Sequence, residues 1–181
     1  MGNVDQHYIL TRHHQRGVAL IMALVFLVLL TLLGITAMNT TNLEEKMAGN
    51  AKDRNLAFQA AETSLLDGEN WIAAQTNKPN FAVNTGGLYV PSTTTTPWWD
   101  DSNNIWTATA SAPYSGTLAK VNTQPRYIIE DLGEIPEVGG SKVLPGAYKG
   151  KGNTIARITA RGTGGTDAAQ AEVQSTYSRP Y

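Results

Sequence analysis

The feature that most constrains the fold is an uncharged run that follows Arg16 and lasts until Glu44. Its centre, VALIMALVFLVLLTLLGITAM at residues 18–38, is 21 residues long and contains only one glycine and two threonines among apolar side chains. As a helix it would span roughly 30 Å, the thickness of the hydrocarbon core of a bilayer. A helix that is apolar on every side does not suit the surface of a small soluble domain. We therefore predict a membrane-spanning segment.

Three roles compete for this segment: a cleaved secretory signal, a retained anchor and a buried core helix. A secretory signal has an apolar region of about 7–15 residues followed by a small-x-small cleavage site. This run is longer, and Ile35-Thr36-Ala37 has a bulky residue where a small one is needed. Basic residues flank only its N-terminal side, which places that end in the cytoplasm and the rest outside. We expect the segment to be retained in the membrane.

The helical pattern continues beyond the apolar run. Residues 39–76 contain no proline, and Lys78-Pro79 then stops the helix because proline cannot continue the hydrogen-bond ladder. Within the predicted helix at 18–76, Gly34 is the position where local unwinding is easiest. Apolar residues recur at spacings of three, four and seven, and this stripe predicts one buried face: Leu43, Met47, Ala51, Phe58, Ala61, Leu65 and Ile72.

The remainder of the chain predicts a small sheet. Residues 77–124 lack clear periodicity and predict loops, with one short strand around 105–110. The β-branched segment RYIIEDLGEI at 126–135 predicts a strand, and residues 154–178 predict a hairpin with a glycine-rich connection. The architecture is therefore α+β, a long N-terminal helix packed on a small antiparallel sheet.

Alternation within the hairpin predicts which side chains face the helix. Ala156, Ile158 and Ala160 share the inward face with Ala169, Ala171, Val173 and Tyr177. The opposite face, predicted to meet water, carries Arg157, Thr159, Arg161, Gln170, Glu172 and Gln174. Cross-strand charge pairs are the expected use of Arg157, Arg161 and Glu172, with a partner surface as the alternative.

Composition narrows the function. The net charge is −1, which argues against a nucleic-acid-binding face. The chain has no cysteine, and its three histidines all precede Gly17. If residues 1–17 are removed, Asp5, Arg12 and Arg16 leave with them, so that 14 basic and 15 acidic residues become 12 and 14, a net charge of −2. Histidine and thiolate chemistry are then excluded, and we expect no cofactor, no metal and no small-molecule substrate.

Several segments together resemble the PilX-type minor pilins of Gram-negative type IV pilus systems. They are RGVALIMALVFLVLLTLLGITAM, NLEEKMAGNAKDRNLAFQAAETSLLDGE (42–69), PRYIIEDLGE (125–134) and ARITARGTGGTDAAQAEVQSTYS (156–178). The resemblance implies a pilin-like fold and a leader at 1–17 that prepilin peptidase cuts after Gly17, with methylation of Val18. It also implies a transmembrane and polymerisation helix at 18–41, an amphipathic half-helix at 42–76 and a periplasmic β-rich domain at 77–181, of which 77–124 is a variable loop region.

The resemblance also implies a life history. The precursor waits in the inner membrane with its domain in the periplasm, and the assembly platform later transfers the helix into the core of a fibre at the cell surface. The packing helix would use Leu20, Ile21, Leu24, Phe26 and Leu27. The implied partners are prepilin peptidase, the inner-membrane assembly platform, the major pilin, other minor pilins and a PilY-type tip adhesin, and the implied role is not enzymatic.

Met22 departs from the major-pilin pattern, in which the fifth residue after the cut is glutamate. In the family that carboxylate is understood to pair with the N-terminal ammonium of a neighbouring subunit, because an unpaired charge at that depth is costly. A subunit at the very tip has no neighbour ahead of it. Met22 therefore suggests a tip position, in the complex that primes pilus assembly.

Other readings remain open. The tip pseudopilin of type II secretion also lacks the glutamate, although that family is typically larger. A membrane-anchored periplasmic enzyme or sensor is a second alternative, but no nucleophile motif or inward-facing carboxylate pair favours it.

The segment WWDDSNN at 98–104 also admits two interpretations. It is either a polar turn whose tryptophans cover the sheet or an ion site. The ion site would use the oxygen ligands Asp100, Asp101, Asn103 and Asn104, although their spacing differs from that of an EF-hand loop.

Overall fold

The computed structural model describes residues 16–135 and 152–181 and divides the chain after Met47 into two compact units. Helix α1 runs from Arg16 to Ala74 and passes through Gly34 without interruption. The predicted helix is thus confirmed, with its C-terminal end two residues earlier than the sequence indicated. Gln75 donates its backbone N–H to the carbonyl of Ile72 at 3.2 Å, which tightens the last turn before Pro79.

The first unit consists, in its described part, of α1 up to Met47. All of its side chains from residue 17 onward are exposed. The polar groups within the apolar run are satisfied inside the helix: the Thr31 hydroxyl donates to the carbonyl of Val28 at 2.8 Å, and the Thr36 hydroxyl to that of Leu33 at 2.9 Å. A helix with its hydroxyls bonded to its own backbone presents an apolar surface, which suits lipid or a helical bundle.

The second unit, residues 48–181, places the last part of α1 on a five-stranded sheet. Its strands are β1 (Leu88–Tyr89), β2 (Ala112–Pro113), β3 (Arg126–Ile135), β4 (Asn153–Thr163) and β5 (Gln170–Pro180). The spatial order is β1-β3-β4-β5, and β2 pairs with the same edge of β3 as β1 does. Only β1 runs parallel to its neighbour, so the sheet is mostly antiparallel as predicted.

The main core lies between α1 and the sheet. Burial of these side chains removes apolar surface from water and is the chief stabilising contribution of the fold. The inward faces predicted for β4 and β5 are confirmed, since Ala156, Ile158 and Ala160 are buried, and Val173 and Tyr177 pack at the margin. The central members of this cluster are Leu65, Ile72, Phe81, Tyr127, Ile129 and Ile158.

The predicted helical stripe is only partly correct. Ala61, Leu65 and Ile72 are buried, but Leu43, Met47 and Ala51 are exposed, and Phe58 is 50 % exposed. The residues that take their place against the sheet are small: Ala57, Ala60, Ser64 and Gly68. The reason is the close approach of the helix to β4, where a Cβ built on Gly162 would lie 2.4 Å from the backbone nitrogen of Ala61. A phenylalanine cannot fit at that spacing.

The prediction that the opposite face of the sheet meets water is wrong for β4 and correct for β5. Thr159 is 0 % exposed, and Arg157 and Arg161 are half-buried. A second core cluster covers them, built from Tyr89, Ile105 and Ile128 with Trp98, Trp99 and Trp106 at its margin. Residues of the irregular segment between β1 and β2 therefore form a third layer over this face.

The short strand predicted around 105–110 is also wrong. Those residues form turns, and the strand of this region is β2, at Ala112–Pro113. Ile105 is buried in the second cluster, so its apolar character reflects packing rather than strand pairing. Among the described residues, single 3-10 turns also occur at Phe81–Val83 and Asp101–Asn103.

Candidate functional site

The first candidate site is the N-terminal part of α1. Gly17 and Val18, the predicted processing junction, lie in its first turn, and nothing lies within 4 Å of a Cβ built on Gly17. In the described part of the chain, one helix is long and apolar enough to cross a membrane, and it is this one. The predicted packing residues are all exposed side chains of that helix: Leu20, Ile21, Leu24, Phe26 and Leu27. The geometry supplies an apolar surface that needs a non-aqueous environment.

Met22 lies in the same surface and is 56 % exposed. No acidic side chain occurs on the helix between Arg16 and Glu44. The helix therefore has no carboxylate in its apolar run that would need a partner cation in an apolar environment.

The second candidate site is a clamp that holds α1 to the β4–β5 turn. Asp53, on the helix, accepts a hydrogen bond from the Thr166 hydroxyl at 2.6 Å and another from the backbone N–H of Gly165. The Thr166 hydroxyl is the main cause that lowers the pKa of Asp53, and the backbone N–H groups of Gly165 and Thr166 act in the same direction against partial burial. Gly164 is required here, because a Cβ at that position would lie 2.5 Å from the Asp53 carbonyl oxygen.

Further polar contacts continue along the helix. Asp67 accepts from the backbone N–H and the hydroxyl of Ser115, at 2.9 and 2.7 Å. Glu69 accepts from the hydroxyl of Ser175 on β5 at 2.6 Å. Arg179 donates to the carbonyl of Ile72 at 2.8 Å, where a cation at the helix C-terminus is favourable. Between Asp53 and Ile72 the helix thus runs alongside β5, from the β4–β5 turn that precedes this strand to Arg179 near its end.

The third candidate site is the tryptophan-covered face. Glu130 on β3 and Arg157 on β4 are cross-strand partners, and the guanidinium donates to both carboxylate oxygens at 2.9 and 3.0 Å. Arg157 also lies 4.3 Å from the centre of the Trp99 ring, a cation–π contact that holds the loop on the sheet. Sequence reasoning missed Glu130, because nothing local distinguishes a buried carboxylate from a solvated one.

Two more arginines secure the same loop. Arg161 pairs with Asp101 at 2.5 Å and approaches Glu172 at 3.8 Å, and its guanidinium lies 5.6 Å from the Trp106 ring. Arg126 donates from Nε to the Ser111 hydroxyl at 2.6 Å and from Nη2 to the Ala108 carbonyl at 3.1 Å. Burial raises the pKa of Glu172, and the Arg161 charge opposes that effect. The cross-strand pair predicted for Arg161 and Glu172 is therefore present, at a nitrogen–oxygen distance of 3.8 Å.

The residues of the predicted ion site have other partners. Asp100 caps the 3-10 turn by accepting the N–H of Ser102 at 2.9 Å, and Asp101 pairs with Arg161. Asn103 donates its side-chain amide to the Pro97 carbonyl at 2.7 Å, and Asn104 ends the turn in the left-handed conformation. Within residues 16–135 and 152–181, no group of three or more metal-ligating side chains converges. The geometry favours the alternative reading, a polar turn with tryptophans over the sheet.

One cavity adjoins this face. It has a volume of about 240 Å³, and Trp106, Arg126, Arg161 and Asp167 are among its lining residues. Its polar groups are engaged with each other or with backbone: Asp167 accepts from the side chains of Asn122 and Thr123, at 2.6 and 2.8 Å. This arrangement stabilises the loops around the cavity.

Comparison with known proteins gives two matches to family models. The model of the PilX N-terminal region matches residues 16–66, and the model described as the C-terminal part of the type IV pilus assembly protein PilX matches residues 48–179. Together they span the apolar helix, the clamp and the sheet. No curated protein and no solved structure matches the chain.

Proposed function

Because this chain belongs to the PilX family of type IV pilus assembly proteins, we propose that it acts as a minor pilin in the complex that primes assembly and then stays at the fibre tip. It has no catalytic role in this proposal. Its partners are other minor pilins, the major pilin and a PilY-type adhesin. Membership in a pilus assembly family supports contacts with pilus components in general. The tip position needs a separate argument, which rests on Met22.

Met22 is the observation that carries the tip position. A fibre of pilins stacks apolar helices, and a glutamate at the fifth mature position would neutralise the ammonium of the next subunit toward the tip. A subunit with no neighbour ahead has no such ammonium to neutralise, and a carboxylate there would be buried without a partner. The thioether of Met22 avoids that cost.

The exposed apolar helix supports the same proposal. Its apolar run at residues 18–38 has the length of a bilayer crossing, and the hydroxyls of Thr31 and Thr36 in this run are bonded within the helix. Lipid and the core of a helical fibre are both apolar, so one surface serves first as an anchor and later as a packing surface. In this proposal Gly17 is the cut site, Val18 the methylated N-terminus, and residues 48–181 the part that lies in the periplasm before assembly.

The test is the position of the protein along isolated pili. A small epitope placed after Tyr181 is detected by immunogold labelling, and Met22→Glu is compared with Met22→Leu, which keeps the site apolar. We expect label at one end of each fibre, wild-type pilus numbers for Met22→Leu and a clear reduction for Met22→Glu. Label along the whole fibre together with a fully neutral Met22→Glu variant contradicts the tip position.

The tip pseudopilin of type II secretion is the second candidate, since the missing glutamate fits it equally. Match of both chain halves to pilus assembly models favours the pilus. Deletion of the gene separates the two: loss of surface pili with normal protein secretion supports the pilus role, and the reverse supports the secretion role.

A further inference from the structure

The two edges of the sheet differ sharply. The outer edge of β3 is covered by β1 and β2, which have two residues each. The other edge is β5, eleven residues long and paired with β4 at every position from Gln170 to Pro180. Within residues 16–135 and 152–181, no strand pairs with the outer side of β5.

The hydrogen-bond pattern identifies which backbone groups of β5 point outward. Ile129 on β3 donates its N–H to the carbonyl of Gly87 beside β1, so its backbone groups point away from β4. Its cross-strand partner Ile158 therefore bonds toward β5, to Ser175. Because the direction alternates, the even-numbered residues of β5 direct their N–H and C=O groups to the open edge: Gln170, Glu172, Gln174, Thr176 and Ser178, with the carbonyl of Pro180.

Two observations support this assignment. The N–H of Gly164 bonds the carbonyl of Ala169 at 2.8 Å, which gives the same parity at the hairpin end. Pro180, which has no N–H, occupies a position where the pattern directs that group outward.

This edge carries little protection against another strand. Natural edge strands are blocked by charges, prolines, bulges or shortness. Residues 173–178, VQSTYS, contain no charge and no proline, and their register with β4 has no shift. The opposite edge is formed by β1 and β2, which are too short to pair with another long strand. An open row of donors and acceptors on a β-prone segment is a template for main-chain pairing.

We propose that β5 accepts an additional β-strand donated by a different protein of the pilus assembly. The donated segment is extended and pairs with the outward groups of Gln174, Thr176 and Ser178. Main-chain hydrogen bonds provide most of the binding. The side chains of Gln174, Thr176 and Ser178 are exposed and uncharged, so the pairing itself requires no charged side chain on the donated strand.

A second copy of this chain is the wrong occupant, for a topological reason. The helix runs parallel to β5, from the Asp53 contact with Gly165 to the Ile72 contact with Arg179. Antiparallel pairing of two β5 strands sets the helix segments at residues 53–72 of the two chains in opposite directions. Copies that follow one another in a fibre are related head to tail and run in the same direction, so this pairing does not fit neighbouring copies in a fibre. Parallel pairing about a two-fold axis sets each outward N–H against its own copy.

Proline at an outward position is the decisive variant. Thr176→Pro removes one outward N–H and blocks the edge while the β4 ladder keeps its bonds. Thr176→Ala is the matched control, because it removes the same side chain and keeps the N–H. We expect the amount of the chain in sheared pili to fall about tenfold or more for Thr176→Pro and to stay unchanged for Thr176→Ala. The level and thermal unfolding of each full-length variant in membranes identify any loss caused by misfolding.

Amide hydrogen exchange at single-residue resolution tests the geometry without a mutation. The full-length chain in detergent micelles is compared with the same chain in assembly complexes purified from the cell membrane. We expect amides 174, 176 and 178 to exchange fast in the isolated chain and slowly in the complex, while amides 173, 175 and 177 are slow in both. This every-second-residue pattern is specific to strand addition.

Two results overturn the proposal. One is a folded Thr176→Pro variant that enters pili as Thr176→Ala does. The other is slow exchange of the even-numbered amides already in the isolated chain, which assigns the edge to a segment of this chain itself. The tip position fails by a different result, label along the fibre shaft, and strand addition at β5 is measured independently of that outcome.

Discussion

Glu130 and Arg157 form a two-pronged ion pair across β3 and β4, with the carboxylate 0 % exposed and the guanidinium stacked on Trp99. The carboxylate lies beneath the loop that covers the sheet, and the arginine reaches the surface, where its side chain is 28 % exposed. A pair of this kind links two strands and a loop through one cation. It also makes the two partners unequal, because only the carboxylate is fully removed from water.

We expect Arg157→Met to cost about 3–5 kcal/mol of unfolding free energy, because it leaves a buried carboxylate without its cation. Glu130→Leu should cost less, since the freed guanidinium can turn toward water. The double variant should be more stable than Arg157→Met alone. Chemical denaturation of the full chain in micelles measures all three, and additive effects of the two substitutions would contradict the coupling.

Arg157→Lys is the conservative control for that cycle. Lysine keeps the charge but loses both the two-pronged geometry and the flat stacking on Trp99. An intermediate loss of stability, with tryptophan fluorescence shifted toward that of a solvated ring, is the expected result. Full stability of this variant would mean that charge alone holds the loop.

The elements that local periodicity specifies were predictable. The uncharged run, the absence of proline up to Lys78 and the alternation in β3, β4 and β5 define the helix and the hairpin before any tertiary contact is considered. The family resemblance, carried by the same segments, is confirmed by the two family matches.

The misassigned positions depend on contacts between distant parts of the chain. Phe58 belongs to the apolar pattern but lies beside the contact, because the close approach of Gly162 selects small residues such as Ala57 and Ala61. Likewise, the burial of Thr159 requires a loop some fifty residues earlier to fold over β4. No local sequence pattern encodes either of these contacts.

Two glycine-to-alanine substitutions should act in opposite directions. Gly162→Ala forces a methyl group to within 2.4 Å of backbone at Ala61 and 2.5 Å of the Ala57 carbonyl oxygen. The backbone can shift only at a high energetic cost, so we expect a loss of about 3 kcal/mol, the upper end of the usual range for overpacking. Gly49→Ala lies on an open face of α1 and should gain about 0.5–1 kcal/mol from helix propensity.

Chemical denaturation of the two alanine variants and the natural chain measures the change in the free energy of unfolding for each substitution. Because the substitution is the same, the opposite signs isolate the helix–strand approach. A Gly162→Ala variant as stable as the natural chain would contradict the close packing.

Asp53 should make stability depend on pH in the acid range. Its pKa is lowered in the folded state, chiefly by the Thr166 hydroxyl, so the folded chain binds a proton less readily than the unfolded chain does. The clamp therefore contributes its full stabilisation above the ordinary aspartate pKa of about 3.9 and loses it as the pH falls through the lower folded value.

Asp53→Asn tests this dependence against Thr166→Val, which removes the main cause of the shift. Both variants should melt at a lower temperature than the natural chain at pH 7. As the medium is acidified, the melting curves of the natural chain and Asp53→Asn should converge. A difference between them that stays constant down to strongly acidic pH would assign the effect to the amide itself rather than to the ionised carboxylate.

Processing at Gly17 should be separable from helix structure by a matched pair of substitutions. Gly17→Leu and Gly34→Leu both place a leucine on an exposed face of α1, and none of the described residues has an atom within 4 Å of a Cβ at either position. Of these two glycines, Gly17 lies directly before the proposed cut, and Gly34 lies within the retained helix. We expect mass spectrometry of the membrane-extracted natural chain and of Gly34→Leu to give an N-terminus at methylated Val18, with residues 1–17 absent. Gly17→Leu should accumulate as the uncut precursor and be missing from sheared pili. An intact Met1 in the natural chain would instead indicate a plain membrane anchor.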